Sequence, residues 1–164
     1  MTLDNSTFDK SATLLEELNF KIVDQDKSRP WGGFYVIDES KAAAFVQHFF
    51  PEEDLEKVKI SEKLSPKILM VAPGKRLSWQ YHHRRAEIWR CIDGEVAVAT
   101  SDSDSEAVKH ILKVGDKIKL KQGERHRLIG LSDWGVVAEI WQHTDAENPS
   151  DENDIVRLQD DFGR

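Results

Sequence analysis

The second half of the chain consists of short apolar runs with the residue types and spacing of β-strands. From Lys67 onward these runs are rich in β-branched and aromatic residues, and turn signals such as PGK, DG and VGD separate them. The runs are KILMVA, LSWQYH, EIWRCI, EVAVAT, VKHILKV, DKIKLK, HRLIGL and VVAEIWQH. Short strands between turn signals at intervals of about 8–12 residues predict an all-β sandwich or barrel. The Asp93-Gly94 pair within this region predicts a two-residue hairpin.

The first 65 residues instead carry mainly helical periodicity. The segment FDKSATLLEEL, preceded by the capping residues NST, predicts an amphipathic helix. Residues 29–38, RPWGGFYVID, predict a turn followed by a strand. Residues 39–65 predict two further helices, the second beginning at Pro51. We therefore expect an N-terminal helical segment over residues 1–27 and a barrel domain over residues 28–164, with residues 39–65 as a helical insertion.

Composition and charge restrict the function classes. The chain has 164 residues and a formal net charge of −7, which disfavours nucleic acid as a partner because phosphates require a basic surface. The single cysteine, Cys91, excludes a disulfide framework and suits a reducing compartment. The N-terminus is polar and acidic, and no apolar run is long enough for a membrane span. We expect a cytoplasmic protein that binds neither nucleic acid nor membranes.

A cluster of polar residues interrupts the β-rich region in the stretch LSWQYHHRRAEIWRCIDG. Gln80 and His82 lie two apart, so they share one face of a strand. Glu87 has the wrong parity for a continuous strand, and a tight connection through RRA would bring it back beside His82. His126 begins a later strand after a glycine-containing turn. These nitrogen and oxygen ligands suit Zn²⁺, with Mn²⁺, Co²⁺, Ni²⁺ or Fe²⁺ as alternatives, and the lack of thiolates favours a catalytic site.

The spacing of these residues resembles the two sequence motifs of the cupin superfamily. The first motif is matched by Gly74, Gln80, His82, Glu87 and Gly94, and the second by Gly115, Gly123, His126 and Gly130. Lys121 replaces the usual proline of the second motif, and Gly130 replaces its asparagine. The resemblance implies an all-β double-stranded β-helix, or jelly-roll, barrel, to which the N-terminal helix and the short helical insertion are added.

Four further segments resemble the mannose-6-phosphate isomerase domain of type II phosphomannose isomerases. They are RPWGGFYVID, PGKRLSWQYHHRRAEIW, GERHRL and DIVRLQDDFGR, and the resemblance covers residues 28–38 and 67–164. It implies a metal-dependent aldose–ketose isomerase that interconverts mannose 6-phosphate and fructose 6-phosphate. In such chemistry the metal polarises the sugar oxygens while a base moves a proton between two carbons.

The resemblance also implies roles for individual residues. The metal ligands would be Gln80, His82, Glu87 and His126. The substrate-binding residues would be Arg29, Trp31, Arg85, Arg157 and Arg164, since arginine suits a phosphate group. The catalytic candidates are Lys67 and Glu139, either of which could be the proton-transfer base, together with Arg157.

Two other functions stay open at this point. The chain could be a non-catalytic sugar-binding cupin, or a cupin oxygenase that uses Fe²⁺. Gln80 in the first histidine position weighs against the oxygenase, because another imidazole would better support iron redox chemistry. The expected partners are a small-molecule sugar phosphate and a second copy of the chain. The homodimer is expected from exposed sheet edges, surplus aromatic residues and an apolar helix near residues 42–50.

Overall fold

Two antiparallel sheets are the main structural feature of the chain, which the computed structural model describes over residues 6–59 and 63–163. The helices are α1 (Ser6–Glu17), a 3-10 turn (Glu39–Lys41), α2 (Ala42–Phe49) and α3 (Leu55–Val58). The strands are β1 (Ile22–Arg29), β2 (Gly32–Ile37), β3 (Lys67–Val71), β4 (Trp79–Tyr81), β5 (Arg85–Asp93), β6 (Glu95–Ser101), β7 (Val108–Lys113), β8 (Lys117–Leu120), β9 (Arg125–Gly130), β10 (Gly135–His143) and β11 (Val156–Gln159). The first sheet has the order β1-β2-β3-β10-β5-β8, and the second has the order β11-β4-β9-β6-β7.

The space between the two sheets holds one hydrophobic cluster. Leu69, Trp89 and Val137 of the first sheet lie in the same cluster as Val98 and Leu128 of the second, and all five are buried. Burial of this kind stabilises the fold by roughly 25 cal/mol per Å² of apolar surface. The all-β prediction is therefore confirmed, with two sheets facing each other.

A second hydrophobic cluster covers the outer face of the six-stranded sheet. Phe45 of α2 and Phe8 of α1 belong to it, together with Ile68 of β3 and Ile140 of β10. Strand β3 is buried on both faces, which explains why its residues ILMV are continuously apolar rather than alternating. The helical insertion therefore lies against the outside of the barrel and does not cover its mouth.

Two strands were not predicted, and both have mixed polar sequences. Strand β1 reads IVDQDKSR and is mostly exposed, and β11 reads VRLQ. Each lies at the edge of a sheet, where one neighbour supplies the pairing and little apolar surface is needed. The predicted boundary after residue 27 falls inside β1, which pairs with β2.

Two local predictions were wrong. Asp93-Gly94 does not close a hairpin, because β5 belongs to the first sheet and β6 to the second. Gly94 has the left-handed backbone that such a turn needs, with φ 67°, but the chain uses it to cross between sheets. The third helix begins after Asp54 rather than at Pro51, since the Asp54 carboxylate accepts the backbone N–H of Glu56 and caps the helix there.

Two further expectations concern the helices: their part in a homodimer and the lack of a membrane span. Helix α2, on which the homodimer prediction partly relied, buries its large apolar residues Phe45, Val46 and Phe49 within its own chain, so these are not available to a partner. The homodimer itself stays a prediction. Of the helices that the structure describes, none has the length and apolar character that a membrane crossing requires.

We predict that the outer cluster and the barrel unfold together. Phe45 is fully buried and contacts the rings of Phe20 and Phe49, so Phe45→Ala should lower the free energy of unfolding by about 3–5 kcal/mol. Urea denaturation followed by circular dichroism measures this, and the transition should remain single. The control is Leu14→Ala. The Leu14 side chain is 36% exposed, so this variant should change the free energy of unfolding little. Two separate transitions, with only one affected, would show that the helical layer is an independent unit.

Candidate metal centre

The predicted ligands come from both sheets. Gln80 lies in β4, and His82 follows this strand directly. The chain then turns and enters β5, which carries Glu87. A tight connection is present, but it lies at residues 82–84 rather than in RRA, because Arg85 and Ala86 already belong to β5. It is also the point where the chain passes from one sheet to the other. His126 in β9 is the cross-strand partner of Gln80.

Three of the four predicted ligands converge on one point. The His82 Nε2 atom lies 3.5 Å from Glu87 Oε2, and the His126 Nε2 atom lies 3.4 Å from Glu87 Oε1. The ligand atoms all lie within 4.8 Å of one another, and the three side chains are buried. A divalent ion with ligand distances of about 2 Å fits between atoms at this separation. Gln80 is also buried, and its Oε1 atom accepts a hydrogen bond from Ser78 Oγ at 3.2 Å.

Backbone carbonyl groups fix the orientation of both imidazoles. His82 Nδ1 lies 2.7 Å from the carbonyl oxygen of Asp154, and His126 Nδ1 lies 2.9 Å from that of Glu124. A carbonyl oxygen only accepts, so each Nδ1 atom donates its proton there, and each Nε2 atom faces Glu87. Among the described residues, the buried His126 Nε2 atom has no hydrogen-bond partner. The residues present therefore fit a bound metal.

The ionisation states also suit a metal. Burial lowers the pKa of His82 to about 4, so its ring is neutral at pH 7. Burial alone would raise the pKa of Glu87, but the positive charge of Arg85 holds this pKa well below its usual range. Metal binding requires neutral imidazole and ionised carboxylate, and His82 and Glu87 provide these two states.

Arg85 is the cation nearest to these ligands. Its Nε atom donates to Glu87 Oε2 at 2.7 Å, and its Nη2 atom lies 3.2 Å from His82 Nε2. The guanidinium stacks on Trp141 with its central carbon 3.5 Å from the ring centroid. Its Nη1 atom donates to Ser150 Oγ at 3.0 Å. Metal and guanidinium would compete for the same lone pair of His82, so metal binding requires Arg85 to leave that atom.

The centre opens onto a cavity of about 90 Å³, which has room for roughly three water molecules. The cavity brings together the described residues to which we assigned catalytic, substrate-binding and metal-binding roles, apart from the two histidines. They are Arg29, Trp31, Lys67, Gln80, Arg85, Glu87, Glu139 and Arg157. The buried Trp31 Nε1 atom has no hydrogen-bond partner among the described residues, and it is available to a ligand. Arg164 lies outside the described residues.

Glu139 is a fully buried carboxyl group on the cavity wall. The indole Nε1–H of Trp89 donates to its Oε2 atom at 2.7 Å, and that of Trp141 donates to its Oε1 atom at 2.8 Å. Burial, assisted by the negative charge of Glu87, raises the pKa of Glu139 to about 7. A carboxyl group that exchanges its proton near neutral pH is suited to general acid–base chemistry.

Lys67 is buried next to Glu139 but is already engaged. Its Nζ atom forms an ion pair with Glu152 Oε1 at 2.8 Å and lies 5.0 Å from the ring centroid of Phe34. This ion pair occupies the Nζ atom of Lys67. Of the two candidate bases, the geometry favours Glu139.

Sequence reasoning missed the loop between β10 and β11. Asp154 accepts the backbone N–H groups of His83 and Arg84, each at 2.9 Å, and the hydroxyl of Ser150 at 2.6 Å. It thereby holds the turn that carries His82. Nothing in SDEND indicates this role, because the contacts span about 70 residues. Trp141 was also missed, although its position two residues after Glu139 on a strand places both on the same face.

The comparison with protein families gives a match over residues 41–160, to the model described as mannose-6-phosphate isomerase C-terminal. The chain belongs to this family. A search of the curated proteins gives no match. The cupin resemblance is confirmed, and the two-sheet architecture is that of a jelly-roll barrel.

Solved structures support the fold alone, because their sequence identities are low. CapF in complex with the inhibitor 3-isopropenyl-tropolone is 12% identical, with a TM-score of 0.59 over 83% of this chain and 34% of that one. The capsular polysaccharide assembling protein CapF from Staphylococcus aureus is 12% identical, with a TM-score of 0.58 over 83% and 31%. Oxalate oxidase in complex with glycolate is 19% identical, with a TM-score of 0.48 over 58% and 46%, and this weaker likeness adds nothing to the argument for the fold. The chain spans between 31% and 46% of the length of these structures.

We predict that the metal depends on side chains from both sheets. The purified protein should contain about one divalent ion per chain, measured by elemental analysis. His126→Ala should lower the affinity by at least about 100-fold, because it removes a direct ligand. Gln80→Ala should lower it as well if the amide oxygen is the fourth ligand. The control is His83→Ala, next to the site but exposed, which should retain the metal.

We predict a pH dependence of stability in the metal-free protein. The pKa of Glu139 is about 7, against 4.5 for an ordinary glutamate, so between these values the folded state binds more protons than the unfolded state. The contribution of this group to stability therefore falls as pH rises from 4.5 to 7. Glu139→Gln cannot ionise, so it should gain stability relative to the wild type between about pH 5 and about pH 8. Urea denaturation of the wild type and of Glu139→Gln, at about pH 5 and about pH 8, measures this difference. Equal changes in the free energy of unfolding of the two proteins would contradict the prediction.

Proposed function

We propose that this chain is a metal-dependent sugar-phosphate isomerase that interconverts mannose 6-phosphate and fructose 6-phosphate. One observation carries the proposal: a candidate metal centre and a buried carboxyl group with a pKa near neutrality face the same cavity. Aldose–ketose isomerisation needs these two elements, since it moves a proton between adjacent carbons while charge develops on the sugar oxygens. Membership of the isomerase family supports the substrate class.

The proposal gives each part of the cavity a task. When bound, the divalent ion would polarise the oxygens of the sugar and stabilise the charge that develops on them. His82, Glu87 and His126 would hold the ion, with Gln80 as the fourth ligand. Glu139 would take the proton from carbon 2 of mannose 6-phosphate and return it to carbon 1, while the hydroxyl proton passes from oxygen 2 to oxygen 1. The two indole groups that bind Glu139 would hold its carboxylate in position during the transfer.

The remaining cavity residues would bind the rest of the substrate. Arg29 and Arg157 would bind the phosphate end, and Arg164 stays a candidate for the same role. The Nε1–H group of Trp31 would donate to a sugar hydroxyl, since it has no partner among the described side chains that line the cavity. Arg85 would position Glu87 through the hydrogen bond that joins them. The metal is proposed to be Zn²⁺, with Mn²⁺, Co²⁺, Ni²⁺ or Fe²⁺ as alternatives.

A second candidate function is an iron-dependent oxygenase. Two histidines and one carboxylate are the ligand set of many non-haem Fe²⁺ oxygenases, and the three convergent residues match it. Gln80 weighs against this function if it binds the ion, because it would occupy a position that oxygen or substrate requires. A non-catalytic sugar-binding protein would keep the same cavity without turnover.

The isomerase proposal predicts ketose formation when the metal-loaded protein is incubated with mannose 6-phosphate. Glu139→Gln should lower kcat by about 100-fold to 10,000-fold, because the variant cannot accept a proton. Its KM and metal content should change little, since Gln keeps the size of the side chain. Fructose 6-phosphate is measured by a coupled assay, and Glu147→Gln, in the exposed loop after β10, serves as the control.

The outcomes separate the three functions. Binding of mannose 6-phosphate by calorimetry without any turnover would favour the sugar-binding protein. Oxygen consumption by the Fe²⁺-loaded protein would favour the oxygenase. An unchanged kcat in Glu139→Gln would remove this residue as the base while leaving the isomerase reaction itself in place.

A further inference from the structure

The mouth of the cavity holds an ion pair whose two members have very different surroundings. The side chain of Lys67 is 8% exposed, whereas that of Glu152 is 74% exposed. Their charged atoms lie 2.8 Å apart. The cation is thus part of the cavity wall, and the carboxylate reaches it from the solvent side.

Lys67 requires an anion where it lies. Its ammonium group lies 5.0 Å from the ring centroid of Phe34 and 4.9 Å from that of Trp141, so aromatic faces replace water around it. A buried charge without a partner is costly, so an anion must accompany Lys67 in any occupied state of the cavity. The neighbouring carboxyl group of Glu139 already accepts hydrogen bonds from two indoles, and Glu152 is the carboxylate that pairs with Lys67.

Glu152 is placed so that it can leave this contact easily. It lies in a turn between Ser150 and Asp154, which are both buried and bonded to each other at 2.6 Å. These two residues hold the loop in place while the Glu152 side chain projects toward the cavity. A change of its side-chain rotamer would return the carboxylate to water without moving the loop, and solvation would compensate for most of the lost ion pair.

We propose that Glu152 occupies the anion-binding position of the cavity and is displaced by the phosphate group of the substrate, which Lys67 then binds. A phosphate group carries nearly two negative charges at pH 7, so it competes well with a single carboxylate. A neutral sugar offers Lys67 no anion and cannot displace Glu152. The pair therefore selects phosphorylated sugars over unphosphorylated ones, an inference that deepens the proposed isomerase function and rests on it for the identity of the sugar.

The position of Glu152 in the cavity, which has a volume of about 90 Å³, agrees with this exchange. Glu152 lines this cavity, and it is the exposed member of the ion pair with Lys67. Its departure both frees the ammonium group and enlarges the entrance.

Binding of inorganic phosphate to the purified protein tests the inference directly. Isothermal titration calorimetry should show that Glu152→Gln binds phosphate about fivefold more tightly than the wild type, because an internal competitor is removed. The matched control is Glu147→Gln, which removes the same charge from the same loop away from Lys67 and should stay within about twofold of the wild type. Lys67→Met should lose about tenfold or more in phosphate affinity.

The results that overturn the inference are equally specific. If Glu152→Gln binds phosphate no more tightly than Glu147→Gln, the effect is one of net charge and Glu152 is not a competitor. If a folded Lys67→Met, checked by its melting temperature, binds phosphate like the wild type, the anion position lies elsewhere. These measurements need no turnover, so absence of isomerase activity would reject the proposed function and leave this result intact. Isomerase activity with unchanged phosphate binding in Glu152→Gln would reject the inference alone.

Discussion

The site depends on two hydrogen bonds from imidazole N–H groups to backbone carbonyl oxygens. They orient His82 and His126 so that the remaining ring nitrogens face the carboxylate of Glu87. The result is a buried carboxylate flanked by two imidazole nitrogens, and its negative charge is unfavourable unless a cation joins it. The guanidinium of Arg85 supplies a positive charge on one side, and on the other lies the His126 Nε2 atom, which has no hydrogen-bond partner among the described residues.

The fold brings these groups together by passing the chain from one sheet to the other at the site. Strand β4 ends with Gln80 and Tyr81 in the second sheet, and β5 begins with Arg85 in the first. The turn between them is held by Asp154, whose carboxylate accepts two backbone N–H groups and whose carbonyl orients His82. The loop after β10 is therefore part of the metal centre, and its neighbour Glu152 links the same loop to the entrance of the cavity.

Spacing along the sequence was sufficient to find the three side chains that converge, His82, Glu87 and His126, and most strands. The parity argument for Glu87 succeeded because a period of two leaves no other way to bring it beside His82. The same kind of local reasoning failed at Asp93-Gly94, since a turn sequence specifies backbone angles and not whether the flanking strands pair. It also failed for β1 and β11, whose polar residues suit a sheet edge and produce no hydrophobic pattern.

Contacts between distant segments could not be predicted from one sequence. The position of the helical insertion on the outer face, the role of Asp154 and the pairing of Lys67 with Glu152 all arise from tertiary packing. The raised pKa of Glu139 could not be predicted from the sequence either, because it depends on burial and on the negative charge of Glu87. Sequence placed Glu139 on an inward-facing strand but could not choose between it and Lys67 as the base.

The most direct test of this account is an anomalous-scattering map from crystals soaked in a zinc salt. The account predicts a single strong peak inside the barrel, about 2.0–2.2 Å from the Nε2 atoms of His82 and His126 and from one oxygen of Glu87. Arg85 should have moved away from His82 in the same crystals. A map with zinc bound elsewhere and none between these three side chains would contradict the account.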